Sequence, residues 1–253
     1  EGGMKLGSYD VAFLDAEWQS SMFTGRMVRA YSTLRKDLVG DFGHGWRLSR
    51  TDVQVMTNGP LGLGGWTQAG CGDGFVFVPV CTESDTPHLV VVKWPGGAVE
   101  AFDLVPGEGS SFFSALAPIE YVARTGTGST LKPVLADSAA TAGGDGNLYS
   151  GFGRAIYDPQ QFLLTDPNGV VYLLDRNKGL LKTTDPNGNS VVYTEGGIFP
   201  DHGVGVEFVR DSEGRITKMD LPRGEIVYRY DTAGDLVEVE DQEGAVTEFV
   251  YDT

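Results

Sequence analysis

The 253-residue chain is poor in the groups that most enzymes work with. It has two cysteines and three histidines, His44, His88 and His202, of which no two lie closer than 44 residues. None falls in a metal-ligand spacing, and no Cys-His pairing or Gly-x-Ser-x-Gly elbow is present, so a local zinc centre and an activated nucleophile are both without support. The glycine clusters Gly62-Leu63-Gly64-Gly65, Gly72-Asp73-Gly74 and Gly203-Val204-Gly205 neither complete Gly-x-Gly-x-x-Gly nor lead into Lys-Ser or Lys-Thr. They read as loops rather than phosphate cradles.

Basic residues are scarce as well. Lys and Arg number 19 against 35 Asp and Glu, a net charge of −16, so a phosphate backbone meets repulsion unless a local basic stripe overcomes it. The densest basic cluster, Arg26, Arg29, Arg35 and Lys36, is interrupted by apolar residues and followed by Asp37. It reads as a solvated or internally paired face. No apolar run reaches the length of a membrane-spanning helix. The start, Glu1-Gly2-Gly3-Met4, lacks a basic and an apolar leader region, so an export signal is expected upstream. The acidic turns Asp166-Pro167-Asn168-Gly169, Asp185-Pro186-Asn187-Gly188-Asn189 and Gly143-Gly144-Asp145-Gly146-Asn147 each offer one carboxylate with one or two amides, short of the six to eight oxygens calcium takes. No catalytic residue, cofactor, metal or nucleic-acid partner is expected.

What is abundant is turn chemistry. The 36 glycines and 12 prolines are spread among many Val, Tyr, Phe and Thr, which suits short strands joined by tight turns, an all-β antiparallel fold. After residue 155 the glycines become periodic: 169, 179 and 188, then 214, 224, 234 and 244. Each lies within three residues of an Asp, Asn or Pro, residues that cap or preset a turn while glycine supplies positive φ. Between them lie strand-like segments: 170–174, 191–194, 206–209, 215–219, 225–230, 236–240 and 246–251. Their alternation places Ile226, Tyr228 and Tyr230 on one face and Val227 and Arg229 on the other. A meander of hairpins, each needing its neighbours to bury an apolar face, is the expectation.

Two stretches carry a family resemblance. Tyr230-Asp231-Thr232-Ala233-Gly234-Asp235-Leu236-Val237-Glu238-Val239, then Asp241, Gly244 and Tyr251-Asp252, resembles the YD repeat of rearrangement-hotspot proteins, teneurins and insecticidal toxin-complex subunits. Asp211-Ser212-Glu213-Gly214-Arg215-Ile216-Thr217 repeats the middle of that pattern. Upstream, Arg29-Ala30-Tyr31-Ser32 followed by Gly40-Asp41-Phe42-Gly43-His44-Gly45-Trp46 is similar to the Arg-x-Tyr-Ser … Phe-Gly-x-Gly-Trp segment that opens the repeat region in bacterial members. The resemblance implies a spiral β-shell that encloses a C-terminal toxin of the same polypeptide or presents a surface to other cells. The core segment and autoproteolytic aspartates that such proteins carry are not found in this sequence, which stops at a fresh Tyr-Asp and is expected to be a piece of a longer array.

The organisation expected is an N-terminal strip over 1–50, a β-rich middle section over 51–155 with loops at 124–130 and 139–153, and repeats over 156–253. Trp94 to Phe102 reads as a further hairpin, and Asp15 to Phe23 is left open as a helix that Asp15 would cap. Cys71 and Cys81, ten apart with no other cysteine, make a chemically complete hairpin disulfide, the alternative being two buried thiols. A disulfide would suit a secreted or cell-surface location. The leading function is a structural scaffold rather than an enzyme. The alternative is a glycan- or cell-surface-binding module stacking sugars on Trp18, Trp46, Trp66 or Trp94, against the plainer reading that these rings fill the sheet core. The last strand would leave an edge able to pair with another copy.

Overall fold

A computed structural model describes residues 9–19, 24–49, 52–70, 80–107, 116–124, 126–135, 139–151 and 155–251. The fold is all-β and antiparallel, and the only helical element among the described residues is a single 3-10 turn, Thr33–Arg35. The chain forms two compact units, one made of Glu1–Asp52 with Gly188–Thr253 and the other of Val53–Asn187.

The first unit opens with β1 (Asp10–Gln19) and β2 (Thr24–Ser32), paired antiparallel. The short strands β3 (Val39–Gly40) and β4 (Gly43–His44) pair with each other, and β5 (Trp46–Leu48) adds to the free side of β2. The helix left open at Asp15 to Phe23 is not formed: Asp15 through Gln19 belong to β1, and residues 20–23 lie outside the described set. Pairing with β2 outweighs the tolerant helix formers Ala16, Glu17 and Gln19, because the strand buries Trp18 against the bare backbone of Gly25. The register slips between Leu14 and Ala16, so Asp15 is the extra residue of a β-bulge.

The second unit contains β6 (Gln54–Thr57), β7 (Trp66–Gly70), β8 (Val80–Ser84), β9 (Leu89–Lys93), β10 (Val99–Pro106), β11 (Leu116–Ala123), β12 (Thr130–Pro133), β13 (Ala139–Ala142), β14 (Leu148–Ser150), β15 (Gln161–Thr165), β16 (Val171–Asp175) and β17 (Gly179–Thr184). Six of them form a sheet ordered β14-β13-β11-β10-β9-β6, β7 pairs with β8, and β12-β15-β16-β17 run side by side. The hairpin expected around Trp94 is β9–β10, closed by the Trp94 N–H on the Ala98 carbonyl at 2.8 Å. The stretch 139–153 is only partly loop. Ala140, Ala142 and Leu148 are buried, because small side chains on β13 let that strand pack closely where composition alone suggested a polar surface. Phe102, Phe162, Trp66 and Tyr157 fill the core, with the Tyr121 and Tyr157 hydroxyls 3.1 Å apart. Burial pushes the Tyr157 phenol up to about 12, so both stay protonated partners.

The chain then returns to the first unit with β18 (Ser190–Thr194), β19 (Gly197–Pro200), β20 (Val206–Arg210), β21 (Ile216–Leu221), β22 (Gly224–Tyr230), β23 (Leu236–Glu240) and β24 (Val246–Glu248), in which consecutive strands from β18 to β24 are hydrogen-bonded to one another. This is the expected meander, with β19 added. Its four residues, Gly-Ile-Phe-Pro, are bounded by residues that usually break strands, yet Pro200 sits at the strand's end where a missing N–H is tolerated. Val206, Ile216, Met219, Ile226, Tyr228 and Leu236 are buried on one face of this sheet, while Arg229 is exposed on the other.

Candidate functional site

The repeat-defining aspartates and glycines build one turn, made over and over. In the turns opened by Asp166, Asp211, Asp231 and Asp241, the aspartate N–H donates to the carbonyl four residues on, and the glycine N–H three residues on donates back to the aspartate carbonyl. The carboxylate Oδ1 then accepts two backbone N–H groups, from the second and fourth residues onward, at 2.8–3.0 Å. Gly169, Gly214, Gly234 and Gly244 hold φ between +80° and +94°, the left-handed region that costs other residues strain. Aspartate fits because a short side-chain acceptor satisfies donors that a tight turn would otherwise leave open.

The tyrosine of each Tyr-Asp pair does a second job. Tyr230 donates its hydroxyl to the Ile216 carbonyl at 2.5 Å, 14 residues back, and Tyr251 donates to the Leu236 carbonyl at 2.7 Å, 15 residues back. Arg210, which precedes Asp211 as Tyr230 precedes Asp231, reaches the Glu195 carbonyl from Nε at 2.8 Å, again 15 residues back. Burial holds the Tyr230 phenol well above its usual range and pushes Tyr251 up to about 12, so each remains a donor at any physiological pH. Asp252 lies outside the described residues.

Against the buried face of this sheet sits the N-terminal strip. Arg29 on β2 is 2% exposed and donates from Nε and Nη2 to the two Asp15 oxygens at 2.9 and 3.0 Å. The bulge aims Asp15 there, and the Tyr228 hydroxyl of β22 donates to the same carboxylate at 2.9 Å. The guanidinium carbon lies 4.6 Å from the Trp46 ring, 5.1 Å from Phe13 and Phe249, and 5.8 Å from Tyr228. Nη1 has no hydrogen-bond partner among the described residues, and the surrounding ring faces offset part of that deficit. Trp46 donates its indole N–H to the Tyr251 hydroxyl at 2.8 Å, which joins the upstream motif to the second Tyr-Asp unit. The sequence matches no protein-family model and no curated protein.

The same strip clasps the turns at one end of the repeat sheet. Gly43 has φ +87°, and a Cβ placed on it would stand 2.3 Å from the Gly234 carbonyl oxygen, so the Phe-Gly-x-Gly-Trp loop and the Tyr-Asp-x-x-Gly turn meet backbone to backbone. Asp41 accepts from Arg210 Nη2 at 2.8 Å through its carboxylate, and its carbonyl accepts the Ile216 N–H at 2.7 Å. Arg210 also donates from Nη1 to the Gly214 carbonyl at 2.6 Å. One guanidinium therefore ties two turns of the sheet to the strip. Phe42, fully buried, packs its ring 4.8 Å from that of Tyr228.

The two motifs that carry the resemblance, nearly two hundred residues apart in sequence, are thus brought together in one unit. Local sequence does not disclose the Asp15–Arg29–Tyr228 triad, since it places Arg29 in a solvated or internally paired cluster and Asp15 at the start of a helix left open. The available signal was phase: on β2, Met27 and Arg29 are both buried on alternate residues, so Arg29 stands where an apolar side chain is expected.

Of the other candidates, Cys81 lies on β8 opposite Ala69 and is disulfide-bonded, while Cys71 lies outside the described residues. Trp18, Trp46 and Trp66 are buried, and Trp94 is half-buried with its indole N–H on Glu100 at 2.7 Å. Stacking platforms for sugars need an open ring face, which the three buried rings do not offer. No cluster of three or more metal-ligating side chains occurs among the described residues, and in the acidic turns the aspartate Oδ1 is already taken by backbone donors.

Proposed function

We propose that the chain is a structural wall segment of a large exported YD-repeat protein of the rearrangement-hotspot type, a scaffold that encloses a cargo toxin of the same polypeptide or makes contact with another cell surface. The observation that carries this reading is the use to which the motif residues are put. Arg29, Phe42, Gly43, Trp46, Tyr230, Asp231, Gly234, Gly244 and Tyr251 all cap a turn, bridge strands or lock the strip to the repeats, and none is left as a group poised to react. A site for chemistry needs unspent donors, acceptors or nucleophiles in a cleft. The partners implied are the neighbouring repeats and the enclosed segment of the same polypeptide, in an oxidising compartment where the Cys81 disulfide persists.

The test is electron cryo-microscopy of the complete polypeptide that contains this chain. The reading expects the meander over 190–248 to continue, strand beside strand, into a wall around a lumen. A separate bead, its last strand β24 facing solvent, would overturn it.

A further inference from the structure

A sheet of near-equivalent hairpins poses a problem that a single core does not: the strip has several similar places to dock. Aligned on their aspartates, three repeat segments read Phe208-Val209-Arg210-Asp211, Tyr228-Arg229-Tyr230-Asp231 and Phe249-Val250-Tyr251-Asp252. The glycine three residues after the aspartate recurs at 214 and 234, and the hydroxyl-to-carbonyl bridges recur at Tyr230 and Tyr251. Moving the strip back by one repeat of 20 residues would put Phe208 where Tyr228 is and Gly214 where Gly234 is, and would present much the same apolar face.

Two positions break the repetition, and the strip touches both with a carboxylate. Among 208, 228 and 249 only Tyr228 carries a hydroxyl, and that hydroxyl donates to Asp15 at 2.9 Å. Among 210, 230 and 251 only Arg210 is cationic, and its guanidinium is bound by Asp41 at 2.8 Å. We infer that Asp15 and Asp41 are phase-setting residues: they read the two side chains that depart from the repeat pattern and so fix the one hairpin on which the strip docks. A strip one repeat out of phase would keep the Arg29 bonds to Asp15 and the Leu48 N–H on Asp41, which lie within the strip, but would set the Asp15 carboxylate against the Phe208 ring without the Tyr228 hydroxyl and leave Asp41 without its cation, each a buried or partly buried carboxylate short of one partner. The large rings the strip packs against recur in the pattern, Phe208 for Tyr228 and Tyr228 for Phe249, so ring contact discriminates between the phases less sharply than these two polar contacts do. The inference rests on the repeat reading above for the array but not on export or cargo, so failure of those leaves it standing.

The experiment uses the full chain, selectively labelled on tryptophan and tyrosine, and reads by nuclear Overhauser contacts which ring abuts the Trp46 indole N–H. In the native phase that N–H meets the Tyr251 hydroxyl, and one repeat back it would meet Tyr230. Wild type is expected to give a single Trp46 signal with contacts to Tyr251. Tyr228→Phe combined with Asp41→Asn is expected to raise a second Trp46 signal, with contacts to Tyr230, by at least about tenfold over wild type. Phe208→Tyr, which removes no native contact and offers Asp15 a second hydroxyl, is expected to raise the same signal. A single unshifted Trp46 signal in both variants overturns the inference. Loss of the β-sheet circular dichroism in the double variant also overturns it, because the two contacts would then hold the fold rather than choose a phase.

Discussion

Removing Asp15 alone is the sharpest perturbation of the strip. Its carboxylate is the acceptor of both Arg29 bonds and of the Tyr228 hydroxyl, and its side chain is 5% exposed. In Asp15→Ala the guanidinium, itself 2% exposed, stays buried with only aromatic faces around it. Breaking one side of a buried ion pair costs about 3–5 kcal/mol, most of it the uncompensated charge. For a cooperative unit on the order of a hundred residues, each kcal/mol lowers Tm by about 4 °C, so a fall of roughly 12–20 °C is expected. Replacing both partners, Asp15→Leu with Arg29→Met, removes the charge along with its partner and is expected to recover most of that loss. The assay is thermal and urea unfolding followed by the Trp46 environment and by circular dichroism in parallel. An Asp15→Ala variant within about 1 kcal/mol of wild type would refute the reasoning, since an exposed surface pair loses no more than that.

Gly43→Ala is expected to destabilise by at least about 1–3 kcal/mol from its positive φ alone, with a further loss from the approach to the Gly234 carbonyl; Gly96→Ala, also at positive φ but with open space around it, isolates the conformational part. Acid unfolding should begin as pH falls below about 4, the unfolded carboxylate value. Burial alone would raise Asp211, but the Arg215 backbone N–H and guanidinium and the Glu213 N–H hold it below its usual range, so the stability it contributes is present above the unfolded pKa and lost as pH falls through the folded one; Asp211→Asn should flatten that part of the pH–stability curve. In the second unit, His88 stacks on the Trp66 ring at 4.5 Å and burial lowers its pKa, so stability should decline as pH falls below about 6.5 and a His88→Gln variant should lose that dependence. All three β24 residues are exposed and the strand pairs with β23 alone among the described strands, so light scattering should show association at high concentration; a strict monomer would count against edge pairing.

How far the sequence discloses this fold depends on the range of the interaction. The Asp-x-x-Gly turns are fully legible, because all four hydrogen bonds lie within five residues and glycine at positive φ announces them. Strand alternation in β22 is legible for the same reason: Ile226 and Tyr228 go in, Arg229 goes out. The clasp between strip and repeats is not, since Asp15 and Tyr228 are 213 residues apart and nothing local marks them as partners. Alanine-rich β13 and Gly-Ile-Phe-Pro in β19 were hidden by composition, as small or strand-breaking residues are read as loop unless the packing neighbour is known.

The claim on which the rest depends is that strip and repeats are one cooperative structural unit. Residue-resolved amide hydrogen exchange tests it most directly, by comparing opening free energies in β1 and β2 with those in β20 to β23, in wild type and in Asp15→Ala. The account predicts matching protection in the two sets and a matched fall in both on substitution. A strip that exchanges freely while the repeats stay protected, or repeats unmoved by Asp15→Ala, would contradict it.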